Sequence, residues 1–249
     1  MAELSWLGVV RHGESVANVA ADEAEADGAE VVDIAERDAD VGLSPSGQAQ
    51  AVAFGRWLAE LPPERVPDWV VSSPYRRAEQ TARMALAEAG RRTGRPAAPI
   101  VLDERLRDRE LGVLDLLTRH GVATRMPEEE ARRRRLGKFY YRPPGGESWA
   151  DVALRLRSFL GDLRRDRPDA RVLLFGHEAV VMLLRYLVDG LTEPDLLATA
   201  RNTTPHNASL TSWVRVDGVL RPEYVNRIDH LEQAGAPVTA QGPARPQPV

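Results

Sequence analysis

Short apolar runs alternate along this chain with longer segments in which apolar residues recur at helical spacing. The runs at residues 4–10, 69–71, 100–102 and 172–175 predict buried β-strands. The last of these is the most hydrophobic, as expected for a strand in the middle of a parallel sheet. Strands that alternate with helices are typical of an α/β fold. We therefore expect a three-layer α/β/α sandwich, with a mostly parallel central sheet and helices on both faces.

Serine residues mark the start of several predicted helices. Ser44 precedes Pro45, which suits the first helical position, and an apolar stripe at helical spacing follows. Ser73 is expected to cap a helix that carries Arg77 in its first two turns. Further helices are predicted at residues 15–21, 127–136, 149–165 with Ser148 as the cap, 179–188 and 193–200.

The carboxyl-terminal part of the chain predicts a hairpin and then a tail. Residues 210–216 and 219–225 flank Asp217-Gly218, a pair that favours the type I′ turn of a β-hairpin. From Gln233 onward the chain is rich in Pro, Gly, Ala and Gln, a composition typical of disordered tails. We predict a single domain over residues 1–232 and a disordered tail over residues 233–249.

Composition narrows the class of protein. The formal net charge of −4 argues against a general nucleic-acid-binding protein, and the absence of cysteine excludes disulfides and thiolate metal sites. No apolar stretch is long enough to span a bilayer, and no basic segment precedes the first apolar run, so we expect a cytoplasmic protein without membrane contact. Lys138 is the only lysine among 33 lysine and arginine residues, so a mechanism that needs a lysine has one candidate.

Two histidines stand where predicted strands end. Arg11-His12 is followed by a glycine at the end of the first strand, and a glycine precedes His177 at the end of the strand at residues 172–175. Parallel sheets bind ligands beyond the carboxyl ends of their strands, so we expect both histidines in one site. Arginine offers a planar fork to an oxyanion, and histidine offers a nucleophile or base near neutral pH. With Arg77 near a helix start, these residues predict a pocket for a tetrahedral dianion such as phosphate.

Two charged segments are interpreted as solvated surface. Residues 22–40 are acidic, with Arg37 as the only cation, and lack a clear apolar period. They are predicted to be a loop or a short helix; a lid over the site is one interpretation, but acidic groups over a phosphate pocket would repel the substrate. Residues 132–135 are four arginines at pairing distance from Glu128–Glu130, which is typical of a salt-bridged helix face.

Six short stretches between residues 4 and 226 carry a resemblance to a known family. They are Arg11-His12-Gly13-Glu14-Ser15 with Asn18, Leu43-Ser44-x-x-Gly47-Gln48-Ala49, residues 72–82, Gly145-Gly146-Glu147-Ser148, Gly176-His177-Glu178 and Asn207-Ala208-Ser209. On these stretches the chain resembles the histidine phosphatase superfamily, which has the phosphoglycerate-mutase-like fold. Residues 136–148 further resemble a phosphatase branch, the broad-range acid phosphatases.

The resemblance implies a role for each matching residue. His12 matches the nucleophile that becomes phosphohistidine. Arg11, Arg77 and His177 match the residues that hold the phosphoryl group, and Asn18 matches a further residue of the phosphate pocket.

The resemblance also implies a proton donor. The family places an acid four residues before a glycine in the middle of the chain, and counting back from Gly112 gives Asp108, where glutamate is commoner. Glu104 and Glu110 are the alternatives. The aromatic-acid-glycine ending that the family usually has after this glycine is missing here.

The reaction that the resemblance implies is hydrolysis of a phosphate monoester. A neutral His12 attacks phosphorus in line, cations neutralise the equatorial oxygens, and Asp108 protonates the leaving alkoxide and then helps water to attack the phosphoenzyme. Because arginines supply the positive charge, we expect no metal, no cofactor and a small-molecule phosphate ester as the partner. The alternatives are a phosphoglycerate-mutase-type phosphotransferase and a non-catalytic binder of phosphorylated ligands.

Overall fold

The computed structural model describes residues 3–240. Its strands are β1 (Trp6–Arg11), β2 (Trp69–Ser72), β3 (Ile100–Leu102), β4 (Arg171–Gly176), β5 (Leu210–Val216) and β6 (Val219–Arg227). They form one sheet in the order β3-β2-β4-β1-β5-β6. Strands β1 to β4 pair in parallel, whereas β5 pairs antiparallel with both β1 and β6. The predicted mostly parallel sheet is therefore confirmed.

Helices cover both faces of the sheet. They are α1 (Val16–Ala26), α2 (Pro45–Ala59), α3 (Arg76–Thr93), α4 (Arg119–Arg125), α5 (Pro127–Tyr140), α6 (Trp149–Asp166), α7 (Glu178–Val188), α8 (Glu193–Asn202) and α9 (Asp229–Ala234). Alternate side chains of β4 point to opposite faces. Leu173 and Phe175 pack in the cluster formed with α2 and α3, and Val172 and Leu174 pack in the cluster formed with α6 and α7. The predicted three-layer arrangement is confirmed.

Two of the three serines that were predicted to cap helices do so in the structure. Ser44 accepts a hydrogen bond from the Gly47 amide at 3.1 Å, and Ser148 forms a capping box at the start of α6. Ser73 does not cap α3, which begins at Arg76 after Tyr75. The turn that contains Pro74 lengthens the connection from β2, and this frees the Ser73 hydroxyl for a contact within the site.

Three other helices differ from the helices that the sequence pattern predicts. Helix α1 runs on into the acidic segment, and α4 was not predicted. Helix α5 continues to Tyr140 but is kinked at Gly137, where φ is 75° and ψ is 159°. A left-handed φ of this kind favours glycine, so the kink is fixed by the residue type.

The hairpin is confirmed, with Asp217 at φ 51° and Gly218 at φ 77°, as a type I′ turn requires.

The disordered tail predicted from Gln233 does not describe residues 233–240. Residues 235–240, which we call the C-terminal strap, are held by Gln50 and Asn207. The Gln50 side-chain amide donates to the Pro237 carbonyl and the Thr239 hydroxyl, and the Asn207 backbone amide donates to the Thr239 carbonyl. The remainder of the predicted tail, residues 241–249, lies outside the described residues. No helix between residues 3 and 240 combines the length and the apolar character needed to cross a bilayer.

Candidate active site

Three neighbouring strands bring the polar side chains of the site together. Strand β4 lies between β1 and β2, and their carboxyl ends are followed by His177, His12 and Ser73 respectively. The His12 amide donates to the Gly176 carbonyl at 2.8 Å, and the two histidine rings lie 5.2 Å apart between centroids. The sheet order therefore places both predicted histidines in one site, as expected of the carboxyl edge of a parallel sheet.

The loop after His12 packs tightly against the start of α2. A Cβ on Gly13 would lie 2.5 Å from the Gly47 carbonyl oxygen, and a Cβ on Gly47 would lie 2.0 Å from the Glu14 carbonyl oxygen. Only glycine permits so close an approach. The Gly13 amide donates to the Thr81 hydroxyl at 3.0 Å, which ties the same loop to α3.

The contacts of His12 fix which ring nitrogen is available for chemistry. The side chain is buried, and Nδ1 lies 2.7 Å from the Gly13 carbonyl oxygen. A carbonyl only accepts, so Nδ1 carries the proton and Nε2 keeps its lone pair. Burial, Arg77, His177 and Arg11 hold the pKa of His12 well below its usual value. His12 is therefore a neutral imidazole with a free Nε2.

Arg77 is buried and bound by two carboxylates. It donates to both carboxylate oxygens of Asp38, at 2.8 and 3.1 Å, to the Asp38 carbonyl at 2.6 Å, and to Asp108 Oδ2 at 3.0 Å. The interpretation of the acidic segment as only a solvated insertion is wrong at this residue. Burial of Arg77 makes an ionic partner favourable, and Asp38 supplies one from a short turn, Asp38–Asp40.

Asp108 also contacts His177, whose Nδ1 lies 3.3 Å from Asp108 Oδ2. Burial raises the pKa of Asp108, but His177 and Arg77 outweigh it and hold that pKa well below its usual value. These two atoms do not form a hydrogen bond, but the ionised carboxylate beside Nδ1 favours a proton on that nitrogen. Burial also lowers the pKa of His177, which is therefore neutral, with Nε2 accepting from the Ser73 hydroxyl at 2.8 Å.

Arg11 and Asn18 complete the predicted phosphate pocket. Arg11 is buried and donates to the Pro205 carbonyl at 2.5 Å. The side-chain oxygen of Asn18 accepts from the Ser15 amide at 3.0 Å in the capping box of α1, so its amide nitrogen is the group left to meet a ligand. Both residues line the same cavity as His12.

The structure distinguishes the three acids that were candidates for the proton donor. Among them, only Asp108 contacts both Arg77 and His177. Glu110 lines the cavity but accepts a hydrogen bond from the Tyr75 hydroxyl, and its side chain is 47% exposed. Glu104 lies in the turn Glu104–Leu106 and does not line the cavity.

The cavity has a volume of about 500 Å³, within the range of small-molecule sites. Besides the predicted residues, it is lined by Arg109, Lys138, Trp149 and Glu178. None of these four residues was predicted for the site. Two of them carried a signal: Glu178 stands beside His177 in a motif that carries the resemblance, and Lys138 is the one lysine in a chain that otherwise uses arginine.

The site also brings together three side chains of metal-ligating type, two histidines and one aspartate. One ring nitrogen each of His12 and His177 and a carboxylate oxygen of Asp108 all lie within 4.8 Å of one another. The guanidinium groups of Arg11 and Arg77 line the same cavity and repel a cation. The expectation that the site works without a metal stays a prediction.

Comparison with known protein families and solved structures shows what the chain is similar to. The model of the histidine phosphatase superfamily (branch 1) matches residues 7–226. The chain belongs to the histidine phosphatase superfamily. Among solved structures, mycobacterial glucosyl-3-phosphoglycerate phosphatase in complex with VO3 is 29% identical, with a TM-score of 0.68 over 89% of this chain and 98% of that one. The alpha-ribazole phosphatase from Shigella flexneri, 19% identical, has a TM-score of 0.70 over 89% of this chain and 96% of that one, and shares the fold.

Curated relatives of this superfamily member include both mutase-like and phosphatase proteins. Phosphoglycerate mutase-like protein AT74H from Arabidopsis thaliana is 30% identical over 83% of this chain and 65% of the relative. Glucosyl-3-phosphoglycerate phosphatase from Mycobacterium tuberculosis strain H37Rv is 34% identical over 58% of this chain and 63% of the relative. The matched regions thus span less than two thirds of these two proteins.

Proposed function

We propose that this protein is a phosphomonoesterase that works through a phosphohistidine on His12. The observation that carries the proposal is the state of His12, a neutral imidazole whose Nε2 is free in a cavity lined by Arg11 and Arg77. A nucleophile with a lone pair beside buried cations suits attack on a phosphate dianion.

The proposed first step transfers the phosphoryl group to His12. Nε2 forms a bond to phosphorus while the bond from phosphorus to the ester oxygen breaks. Arg11 and Arg77 neutralise the charge on the equatorial oxygens, and the Nδ1–H of His177 donates a hydrogen bond to one of them. When the phosphate takes over Arg77 and His177, Asp108 loses the two partners that lower its pKa and gains a negative neighbour. Asp108 then takes up a proton from solvent, which it donates to the leaving alkoxide.

The proposed second step returns the enzyme to its starting state. Asp108, now ionised, accepts a proton from water as the water oxygen attacks phosphorus. The bond from phosphorus to Nε2 breaks, inorganic phosphate leaves a neutral His12, and Asp108 releases the proton to solvent, which restores its ionised state. The Asp108 side chain is 27% exposed, so water can reach the phosphoenzyme, and this favours hydrolysis over transfer to a second hydroxyl. The mycobacterial phosphatase relative supports the same choice.

Hydrolysis of p-nitrophenyl phosphate, with and without EDTA, tests the proposal. We expect release of p-nitrophenol that EDTA does not reduce, that His12→Ala abolishes and that His120→Ala, a change at an exposed histidine, leaves intact. Mass spectrometry of the quenched enzyme should find phosphate on His12. Release that survives His12→Ala would refute the nucleophile, and isomerisation of phosphoglycerate without release of phosphate would establish the mutase instead.

A further inference from the structure

The cavity continues beyond the phosphate pocket to a group of cations. Arg109 and Lys138 line it, and Arg133 of α5, which does not line the cavity, is close enough to lower the pKa of both residues. We call these three residues the cationic wall. The arginine run at residues 132–135 is thus not uniform: Arg132 and Arg134 lie 3.8 and 3.6 Å from glutamates of their own helix, whereas Arg133 takes part in the wall.

The kink at Gly137 helps to place Lys138 in this wall. Helix α5 would otherwise continue in its first direction, but the left-handed conformation of Gly137 turns the chain before Lys138. The ammonium group then lies 4.3 Å from the centroid of the Trp149 ring, a cation–π contact. Phe139 is buried in the core on the other side of the turn, which holds Lys138 in position.

The positive charge of the wall is not balanced by ion pairs. Within residues 3–240, Arg109, Arg133 and Lys138 have no carboxylate oxygen within 4.0 Å. Arg109 instead donates to the Glu147 carbonyl at 2.6 Å. Burial lowers the pKa of Lys138, and the two arginines lower it further, although Glu178 opposes them. At Arg109, Asp108 and Glu147 likewise oppose the burial that lowers its pKa, but neither carboxylate forms an ion pair with it.

Three other acids of the cavity lie apart from Lys138. Burial, Asp38 and Glu110 raise the pKa of Asp115, so Asp115 lies near both of these acids. They do not act on Lys138. The cavity is thus divided between an acidic side, which includes the partner of Arg77, and the cationic wall.

We propose that Lys138 and Arg109 form a second anion site, which binds a carboxylate or a second phosphate of the substrate. An ammonium and a guanidinium that lack carboxylate partners gain charge-assisted hydrogen bonds from such a group. The substrate class is then a phosphate ester that carries a second anionic group. The proposal rests on the proposed function only in placing the ester phosphate at His12.

Equilibrium binding tests this site without any turnover. In a His12→Asn background, titration calorimetry compares 3-phosphoglycerate with glycerol 3-phosphate, which differ in a carboxylate, and fructose 1,6-bisphosphate with fructose 6-phosphate, which differ in a phosphate. We expect the more anionic member of at least one pair to bind about tenfold more tightly. Preference in the first pair identifies a carboxylate site, and preference in the second identifies a phosphate site.

Variants of the cationic wall test which of its residues cause the preference for the more anionic ligand. Lys138→Met keeps the aliphatic stem on Trp149 and should remove the preference, Lys138→Arg should retain most of it, and Arg135→Met, an exposed change on the same helix, should leave it unaltered. Arg109→Gln provides a second test should Lys138→Met fail to fold. Equal affinity within both pairs, no binding of any of the four ligands, or a preference that survives both Lys138→Met and Arg109→Gln would overturn the proposal. Preference without phosphatase activity would retain this site and reject the proposed function.

Discussion

The carboxylate of Asp38 binds the guanidinium of Arg77 through both of its oxygens, at 2.8 and 3.1 Å, in the cavity that contains His12. A carboxylate and a phosphate present the same pair of oxygens to an arginine fork. A substrate that is to use Arg77 therefore has to displace Asp38 or share the guanidinium with it.

Asp38→Asn is expected to strengthen the binding of inorganic phosphate, with an inhibition constant about three- to tenfold lower, because a neutral amide competes less well for Arg77. The measurement is competitive inhibition of p-nitrophenyl phosphate hydrolysis. Asp40→Asn is the matched control, since Asp40 pairs with Arg37 at the surface. Weaker phosphate binding in Asp38→Asn would mean that Asp38 orients Arg77 and does not compete with the ligand.

Asp108→Asn is expected to lower kcat for an alkyl phosphate by about 10²- to 10⁴-fold, because an amide cannot protonate the leaving alkoxide. The loss should be smaller with p-nitrophenyl phosphate, whose leaving group needs little protonation. The two substrates are compared under the same conditions. Glu110→Gln and Glu104→Gln are the controls, and a leaving-group dependence that appears in either of them would move the proton donor to that residue.

Thr239→Val is expected to lower kcat several-fold with little change in KM, because the C-terminal strap supports the loop of the nucleophile. The Thr239 hydroxyl donates to the Asn207 side chain at 3.0 Å and accepts from Gln50 at 2.8 Å. Asn207 in turn donates to the His12 carbonyl at 3.2 Å. The variant should also lose about 1–2 kcal/mol of unfolding free energy, since it leaves buried polar groups without partners.

Thr239→Ser is the matched variant for this test, because it keeps the hydroxyl, and Val238→Ala changes the exposed neighbour. Steady-state kinetics and thermal unfolding are measured on all three proteins. Restored kcat in Thr239→Ser supports the positioning role. Loss of stability without loss of kcat in Thr239→Val would reduce the strap to a purely structural element.

His230 is expected to make stability depend on pH. It is buried against Phe54 and donates to the Ala208 carbonyl at 2.9 Å, and burial lowers its pKa to about 4. The unfolded chain takes up this proton near pH 6.5, so the contribution of His230 is complete above that pH and is lost as the pH falls toward 4. The loss should reach about 3 kcal/mol.

Denaturant unfolding between pH 7 and pH 4 measures this effect. His230→Gln, whose amide can keep the hydrogen bond to Ala208, should flatten the dependence, whereas His120→Gln at an exposed position should not. Parallel pH profiles for the wild type and His230→Gln would assign the acid sensitivity to other groups.

The parts of the fold and site that the sequence predicts are those set by local pattern. The alternation of apolar runs with amphipathic segments yields the parallel sheet, and strand ends place His12 and His177 at one edge because parallel strands share that edge. Ser44 and Ser148 were assigned correctly since a helix cap depends on a few adjacent residues.

The parts that it does not predict depend on contacts between distant residues. Asp38 and Arg77 are separated by 39 positions, and no local pattern predicts that the acidic segment folds back onto Arg77. The capping pattern at Ser73 was misread because the contact that uses its hydroxyl comes from His177, 104 residues later. Lys138 lies in the cavity because the backbone turns at Gly137. The composition of the segment does not predict that backbone conformation.

The position of the C-terminal strap in the sequence also affects when the site can be completed during translation. His12 leaves the ribosome long before its supports, since β4 and β5, the two neighbours of β1, begin at Arg171 and Leu210. Asn207 and Thr239, which back its loop, also come from the carboxyl-terminal part of the chain. The nascent chain therefore carries His12, the proposed nucleophile, well before these supports, and the loop of His12 gains its full set of hydrogen-bonded supports only after Thr239 has been added.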